Sequence, residues 1–341
     1  LNRRMFMPSR LQPHCSPRVR RSHSHSPQTP TPTRRLVSRR PSPKILSSSF
    51  LSAVHHQMSG DLDKSWRNLV EARVAVINCP GAVPFTPLFS AMFDRAAAAD
   101  RDDGGVNAKV NVTEYQAEAG KLPSLDGNYD AYAITGSRYG SYETDEWINI
   151  LKTWVREARQ KDARVLGVCF GHQVIADALG GDGTVEVNAA GFEFGTYRFQ
   201  PDERFVQIAE QLYDVPPPPS GSIDMFYVHG DHVKPSALNG LELENMGGTD
   251  VSPCEGLFDA KQGRFLTLQG HPEFDEATML ACHTSLTEKR RLPGAMPGET
   301  DSEKSDLLRR QLASCSEAPA CQAWLAQLCT SFLTADVRRA E

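Results

Sequence analysis

The sequence predicts an α/β fold in which helices flank a doubly wound, mostly parallel β-sheet with small antiparallel β elements added. Two observations predict it. Short apolar runs alternate with helical segments of 12 to 17 residues between positions 73 and 180, an order typical of parallel βαβ units. Several apolar runs also end at a glycine, where a strand can turn sharply into the next element.

The first half of the predicted sheet contains four strands separated by helices. The strand segments are RVAVINC at 73–79, KVNVTEY at 109–115, YAITG at 132–136 and RVLGV at 164–168. The helical segments are LFSAMFDRAAAA at 88–99, TDEWINILKTWVREARQ at 144–160 and the residues that follow Cys169. Thr144 is expected to cap the second helix, since acidic residues follow it at the positive helix end.

After Gly181 the pattern changes to short strands. Residues 184–199 alternate and bend at glycines, which predicts a hairpin. Further short strands are expected at 224–233, 241–247, 254–260 and 264–274. The predicted domains are a main domain at 70–288, a charged Gly/Pro-rich loop at 289–304, and a helical extension at 305–341 that covers the sheet edge or shapes a pocket mouth.

The first 60 residues form a basic leader rich in Arg, Ser and Pro, a composition that predicts disorder. Residues 1–57 hold 11 Lys and Arg and no Asp or Glu. Such a segment is typical of an organelle transit peptide. The alternative is that it is not part of the working protein, because Met58 would serve as a start. We expect a cytoplasmic protein, or a plastid or mitochondrial one if the leader is a transit peptide.

The remainder of the chain is acidic, with 26 basic and 42 acidic residues. That balance argues against nucleic-acid binding by the folded part. Apolar runs stay below the roughly 18 residues that cross a bilayer, so no membrane partner is expected. The eight cysteines include no CxxC pair, which favours thiols in a reducing compartment.

Cys169 stands where a predicted strand meets a predicted helix, between Gly167 and Gly171. The end of a parallel strand faces the ligand crevice of such a sheet, and the positive helix end favours a thiolate. A strand-to-helix elbow needs strained backbone at its nucleophile and small neighbours. The N–H of Phe170 can then face the oxygen of an attacked carbon. The other cysteines are expected to be core residues or, for Cys15, part of the leader.

A candidate base lies at the end of another predicted strand. His271 follows Gly270 directly, and Glu273 comes two residues later. The imidazole can accept the thiol proton and later deliver it to a leaving nitrogen, while the carboxylate fixes the ring.

Together, GVCFGHQ (167–173) and GHPE (270–273) resemble the class I glutamine amidotransferase domain, the family with a Cys, His and Glu triad. The resemblance runs from about residue 73 to 288 and implies a flavodoxin-like fold. It implies Cys169 as nucleophile, His271 as base and Glu273 as the orienting carboxylate.

The resemblance also implies residues around this triad. ITGSRYGSYE (134–143) matches the glycine turn that supplies a second oxyanion-hole N–H, at Gly136 or Ser137, in addition to Phe170. YVHGDHV (227–233) resembles a segment of the GMP synthase glutaminase domain that lies beside the bound glutamine. The implied substrate-binding residues are Gln173, His229, Gly230 and Asp231.

Three functions remain open from the sequence. The first is a thiol hydrolase that cleaves the γ-glutamyl amide bond of glutamine, a γ-glutamyl peptide or a glutathione conjugate, as the similar plant γ-glutamyl peptidases do. The second is a glutaminase subunit that supplies ammonia to a separate synthase. The third is a non-catalytic regulatory module.

We expect a small-molecule γ-glutamyl substrate and no cofactor. A synthase partner or a homodimer is compatible with the sequence. No metal is expected, because His229, Asp231 and His232 match the substrate-side segment and no additional ligand is evident.

Overall fold

A computed structural model describes residues 70–98, 108–288 and 319–340, together with a few isolated positions between 302 and 313. The predicted leader and most of the predicted loop at 289–304 lie outside the described residues. Within these ranges no helix combines the length and apolar character that crossing a membrane requires.

Eleven strands are found in the described residues. They are β1 (Val70–Asn78), β2 (Ala108–Gln116), β3 (Ala131–Ile134), β4 (Val165–Val168), β5 (Val185–Val187), β6 (Glu193–Phe199), β7 (Ile223–His229), β8 (Asp231–Val233), β9 (Glu244–Asn245), β10 (Gly256–Phe258) and β11 (Phe265–Leu268). Seven of them form a central sheet in the order β2-β1-β3-β4-β11-β10-β9. Neighbours from β2 to β11 pair in parallel, whereas β10 pairs antiparallel with β11 and β9.

The sheet is covered on both faces by helices. They are α1 (Phe85–Ala98), α2 (Glu146–Gln160), α3 (Phe170–Gly180), α4 (Glu203–Tyr213), α5 (Glu276–Glu288) and α6 (Gln322–Ala340), with a 3-10 helix at Pro235–Gly240. On β1, Val74 and Val76 pack with α1 and α6, whereas Ala75 and Ile77 pack with α2 and α3. Burial on both faces explains why these strands are continuous apolar runs. The predicted α/β fold with a mostly parallel sheet is confirmed.

The sequence suggested that the C-terminal extension covers the sheet edge or shapes the pocket mouth. The C-terminal helix α6 does neither. It packs against α1 and against β1, β3 and β4, so it lies on one face of the sheet. Its side chains are buried around most of the helix, including Leu325, Cys329 and Phe332. A helix that is apolar on most sides belongs between other layers rather than at a rim.

The predicted hairpin at 184–199 is wrong, although both of its strands exist. β5 pairs antiparallel with β8, and β6 pairs antiparallel with β7. Between β5 and β6, the Asn188 side chain accepts the N–H of Ala190, and Gly191 adopts a φ of +131°. This turn directs the chain from one small sheet into the other. Alternation along a strand indicates which face is buried but not which strand is the partner.

Two helices were not predicted, and one predicted cap is wrong. Helix α4 buries Phe205, Ala209 and Tyr213 at a spacing of four, a periodicity that the sequence displays. The second unpredicted helix is α5. The residue before α2 is Asp145 rather than Thr144, and it makes no side-chain capping hydrogen bond.

Candidate active site

Cys169 occupies a strained turn between β4 and α3. Its φ of 53° and ψ of −105° lie outside the regions that ordinary residues prefer. A Cβ at Gly171 would lie 2.3 Å from the carbonyl oxygen of Ile134, and one at Gly167 would lie 2.6 Å from that of Gly171. Both glycines are therefore required by close backbone approach, and the strain presents the sulfur at the strand end.

Hydrogen bonds to the neighbouring strands hold this turn in place. The Cys169 N–H donates to the carbonyl of Leu268 on β11 at 2.8 Å, and the Gly171 N–H donates to that of Thr135 at 3.2 Å. Cys169 is thus fixed by the segments on both sides of β4.

His271 and Glu273 follow β11 and lie beside this turn. The backbone N–H of His271 donates to the carbonyl of Phe226 at 2.7 Å. Its ring Nδ1 lies 2.8 Å from Glu273 Oε1, and both side chains are buried. Phe274 stacks on the imidazole with ring centroids 3.9 Å apart. The ring is fixed in position and orientation, with its remaining nitrogen available to the sulfur.

The electrostatics of the three side chains are coupled. Burial lowers the pKa of the His271 ring, but Glu273 and Cys169, by charge and by hydrogen bonds, outweigh burial and raise this pKa to about 10. His271 therefore keeps its proton near neutral pH, beside the Cys169 sulfur.

The other five cysteines of the described residues are also buried. Burial is the largest cause that raises the thiol pKa of each, including Cys282, whose pKa rises to about 12 although it also lines the pocket. The remaining four are Cys79, Cys254, Cys321 and Cys329. They are buried thiols without a base.

The residues named for the oxyanion hole lie around the sulfur and the imidazole. A Cβ at Gly136 would lie 3.1 Å from His271 Cε1 and 2.9 Å from the Phe85 ring. The Ser137 hydroxyl donates to the carbonyl of Pro80 at 2.7 Å and so holds the turn after β3. Within the described residues, the N–H groups of Gly136 and Phe170 make no backbone hydrogen bond. Both groups can therefore donate to a ligand atom.

The candidate triad borders a pocket of about 550 Å³ through Cys169 and His271. The candidate residues Ser137, Gln173, His229, Gly230 and Asp231 also line this pocket. Apolar side chains complete it: Val83, Phe85, Val187, Phe192, Val228, Phe274 and Leu286. The pocket lining therefore combines polar side chains with a larger apolar surface.

Gln173 and the 229–231 segment meet at one backbone carbonyl. Gln173 Nε2 lies 3.1 Å from the Asp231 carbonyl oxygen, and His229 Nδ1 lies 3.0 Å from the same atom. Gln173 also donates to Gln269 Oε1 at 3.1 Å. The Tyr142 hydroxyl donates to Asp231 Oδ1 at 3.2 Å. The structure thus brings the predicted substrate-binding residues together on one wall.

Sequence reasoning missed several residues that support the site. Arg95 of α1 donates to the Pro272 carbonyl at 3.0 Å and interacts electrostatically with Glu273. Glu193 and Glu255 are fully buried near His229. The only sequence signal for Glu193 is its position between Phe192 and Phe194, at the start of β6.

The atoms of Glu193, His229 and Glu255 that could bind a metal lie within 4.8 Å of one another. The Thr249 hydroxyl lies 2.7 Å from Glu193 Oε1 and 3.3 Å from Glu255 Oε1. Within the described residues, Glu193 Oε2, His229 Nε2 and Glu255 Oε2 have no hydrogen-bond partner. The absence of a metal remains a prediction.

Known proteins resemble this chain in sequence and in fold. The family model for glutamine amidotransferase class-I matches residues 101–280. A Saccharomyces cerevisiae protein named as a glutamine amidotransferase is 32% identical over 174 residues, which cover 49% of this chain and 63% of the relative. Gamma-glutamyl peptidase 2 of Arabidopsis thaliana is 26% identical over 157 residues, which cover 45% of this chain and 56% of the peptidase. The matches thus span less than two thirds of these two relatives.

A solved structure of a glutamine amidotransferase from Thermotoga maritima superposes with a TM-score of 0.54 at 18% identity, over 78% of this chain and 98% of that one. At this identity, the superposition shows only that the two proteins share a fold. The family model, in contrast, covers more than half of the chain and includes the cysteine elbow, β11 and the following segment with His271. The chain belongs to the class I glutamine amidotransferase family.

Proposed function

We propose that this protein is a thiol hydrolase that cleaves γ-glutamyl amide bonds through a γ-glutamyl thioester on Cys169. One observation carries the proposal. Cys169 lies on a strained elbow and lines the same pocket as His271, whose ring lies 2.8 Å from Glu273, and the N–H groups of Gly136 and Phe170 make no backbone hydrogen bond within the described residues. Nucleophile, acid–base group, orienting carboxylate and oxyanion donors are the parts that acyl transfer requires.

In the first step, the Cys169 sulfur attacks the γ-carbonyl carbon and forms a C–S bond. The oxygen becomes an oxyanion that the N–H groups of Phe170 and of Gly136 or Ser137 stabilise. As the C–N bond breaks, His271 transfers its proton to the departing nitrogen. The products are an amine, or ammonia from glutamine, and the thioester.

In the second step, neutral His271 accepts a proton from water, and the resulting hydroxide attacks the thioester carbon. The C–S bond breaks, glutamate leaves, and the thiolate and imidazolium are restored. Gln173 and the 229–231 wall hold the glutamyl group during both steps.

The size and composition of the pocket favour a leaving group larger than ammonia. Its volume of about 550 Å³ and the apolar side chains Phe192, Val187 and Leu286 offer contact area that glutamine alone does not use. The similarity to an Arabidopsis gamma-glutamyl peptidase agrees with this choice. We therefore propose γ-glutamyl peptides or glutathione conjugates as substrates, and ammonia supply to a synthase as the second candidate.

Turnover of the purified protein tests this proposal. We expect release of glutamate from glutathione or an S-alkyl conjugate, with higher kcat/KM than from glutamine. Cys169→Ala should abolish release while the melting temperature stays similar, and Cys321→Ala, on a cysteine remote from the pocket, should retain it. Glutaminase activity alone would favour the ammonia-supplying subunit, and turnover by Cys169→Ala would overturn both.

A further inference from the structure

The turn that follows β3 places a positively charged side chain at the pocket. Among the described residues that line the pocket, Arg138 is the only lysine or arginine. Its side chain is exposed, and it belongs to a chain whose residues from 58 onward are acidic, with 26 basic and 42 acidic side chains. A cation that lines a pocket of an acidic protein favours ligands with a negative charge.

Hydrogen bonds hold the backbone beneath Arg138 in place. The N–H of Arg138 donates to the carbonyl of Pro80 at 3.0 Å, and the Ser137 hydroxyl donates to the same oxygen at 2.7 Å. The N–H of Tyr139 donates to the Ser137 hydroxyl at 3.3 Å. The fold therefore fixes the turn that carries this cation directly beside Gly136 and Ser137, the residues named for the oxyanion hole.

The guanidinium of Arg138 lies over the ring of Tyr139, with 5.3 Å between its central carbon and the ring centroid. Its Nη2 lies 3.5 Å from the Tyr139 hydroxyl. Trp147 packs edge-on against Tyr139 with ring centroids 5.4 Å apart, so the aromatic ring is itself held. An arginine that stacks on an aromatic face keeps the edge of its planar fork free to bind a carboxylate. The stacking thus orients the guanidinium without occupying its donors.

Arg138 forms no ion pair within the described residues. Its pKa is raised, chiefly by the hydrogen bond and the charge of Tyr139, and the charge of Glu118 adds a smaller effect without direct contact. By contrast, the exposed Arg204 pairs with Glu244 at 3.1 Å. A guanidinium has five N–H donors and keeps its charge throughout the physiological pH range. Most donors of Arg138 are therefore available to a ligand.

The exposure of the lining residues indicates which part of a substrate meets Arg138. Gln173 and His229, which the proposed function places against the glutamyl group, are 3% and 5% exposed. Arg138 is exposed and lies nearer to solvent, where the leaving group extends. Two residues of extended chain span roughly 7 Å. A leaving dipeptide that begins at the Cys169 sulfur can therefore reach the turn that carries Arg138, two residues beyond Gly136.

We propose that Arg138 is a specificity-determining residue that binds the terminal carboxylate of the leaving peptide. The preferred substrates are then γ-glutamyl peptides whose leaving amine carries a free carboxylate, such as glutathione and its S-substituted forms, rather than glutamine or neutral γ-glutamyl amides. This role rests on the proposed γ-glutamyl hydrolase function and narrows the substrates that it selects.

A matched pair of substrates tests this role. S-methylglutathione and its C-terminal amide differ only in the carboxylate. The wild-type protein should hydrolyse the acid with a kcat/KM about tenfold higher, mainly through KM, because one charge-assisted contact distinguishes the two. Arg138→Met should bring the ratio of acid to amide close to one, and Arg138→Lys should keep part of it. Arg204→Met, at an exposed arginine that does not line the pocket, should keep the wild-type ratio.

Charge reversal gives a result that misfolding cannot imitate. Arg138→Glu should prefer an analogue in which an ammonium group replaces the terminal carboxylate, because the two charges are then complementary in the opposite sense. Equal losses of kcat/KM for acid and amide in Arg138→Met would show that Arg138 acts on the glutamyl group instead. An unchanged ratio would show that it does not bind the carboxylate. Either result would overturn the inference.

A neutral substrate separates this role from the proposed function. A γ-glutamyl anilide has no carboxylate on its leaving group, so its turnover reports the hydrolase activity alone. If the wild-type protein hydrolyses the anilide but treats acid and amide equally, the hydrolase function stands and the role of Arg138 is wrong.

Calorimetric titration tests the carboxylate site even if no γ-glutamyl amide is turned over. Tighter binding of S-methylglutathione than of its amide, with the difference lost in Arg138→Met, would support the site. Equal affinities of the wild-type protein for the two compounds, or no binding of either, would overturn it.

Discussion

His271 carries the most consequential electrostatic feature of the protein. Burial alone would make this ring neutral, yet Glu273 at 2.8 Å and the adjacent Cys169 raise its pKa to about 10. The ring therefore keeps its proton near neutral pH and can give it to a leaving nitrogen. It loses that proton only as the pH rises through about 10.

Glu273→Gln tests this dependence. Replacing the carboxylate by an amide removes the largest cause that raises the pKa of His271. The alkaline fall of kcat/KM, expected near pH 10 in the wild-type protein, should therefore move to lower pH. We also expect kcat to fall by roughly 10²- to 10⁴-fold, the range typical of lost acid–base catalysis. A pH–rate profile measures both.

Glu276→Gln, at an exposed position three residues along the chain, is the matched control and should keep the wild-type profile. If kcat/KM of Glu273→Gln fell at the same alkaline pH as that of the wild-type protein, the role assigned to the carboxylate would be contradicted.

Helices α2 and α3 are joined by an ion pair removed from water. Lys152 Nζ lies 2.5 Å from Asp177 Oδ2, and both side chains are less than 10% exposed. Among the described residues, Asp177 has no hydrogen-bond partner that would replace the lysine. The pair therefore fixes the position of α3, the helix that begins directly after Cys169.

Lys152→Met should destabilise the protein by about 3–5 kcal/mol, because it leaves a buried carboxylate without a counter-charge. Urea denaturation measures the free energy of unfolding. Lys109→Met, in the exposed pair with Glu71, is the control and should change stability little. The double variant Lys152→Met with Asp177→Asn should recover part of the loss. If Lys152→Met were as stable as the wild type, the packing of α2 against α3 would not depend on the ion pair.

The candidate site is assembled from segments that follow three adjacent strands of the sheet. Gly136 follows β3, Cys169 follows β4 and His271 follows β11, and these strands are neighbours in the order β3-β4-β11. All three run parallel, so their carboxyl ends meet at one edge, where ligands bind in such folds. Residues about 100 positions apart in the sequence, such as Cys169 and His271, therefore lie side by side at this edge.

The sequence was informative wherever a local pattern has one structural meaning. Apolar runs on both faces of parallel strands, and glycines around Cys169, led to the sheet and the elbow. Strand partners were less predictable, because alternation at 184–199 fits any antiparallel neighbour. The buried pair Glu193 and Glu255 could not be predicted, since 62 positions separate the two residues and only the folded chain brings them together.

The most direct test of the proposed chemistry is mass spectrometry of the protein quenched during turnover of a γ-glutamyl peptide. We expect a mass increase of one γ-glutamyl group, located on the peptide that contains Cys169 and absent in Cys169→Ala. Steady turnover with the γ-glutamyl group on another residue, or undiminished turnover by Cys169→Ala, would contradict the thioester mechanism.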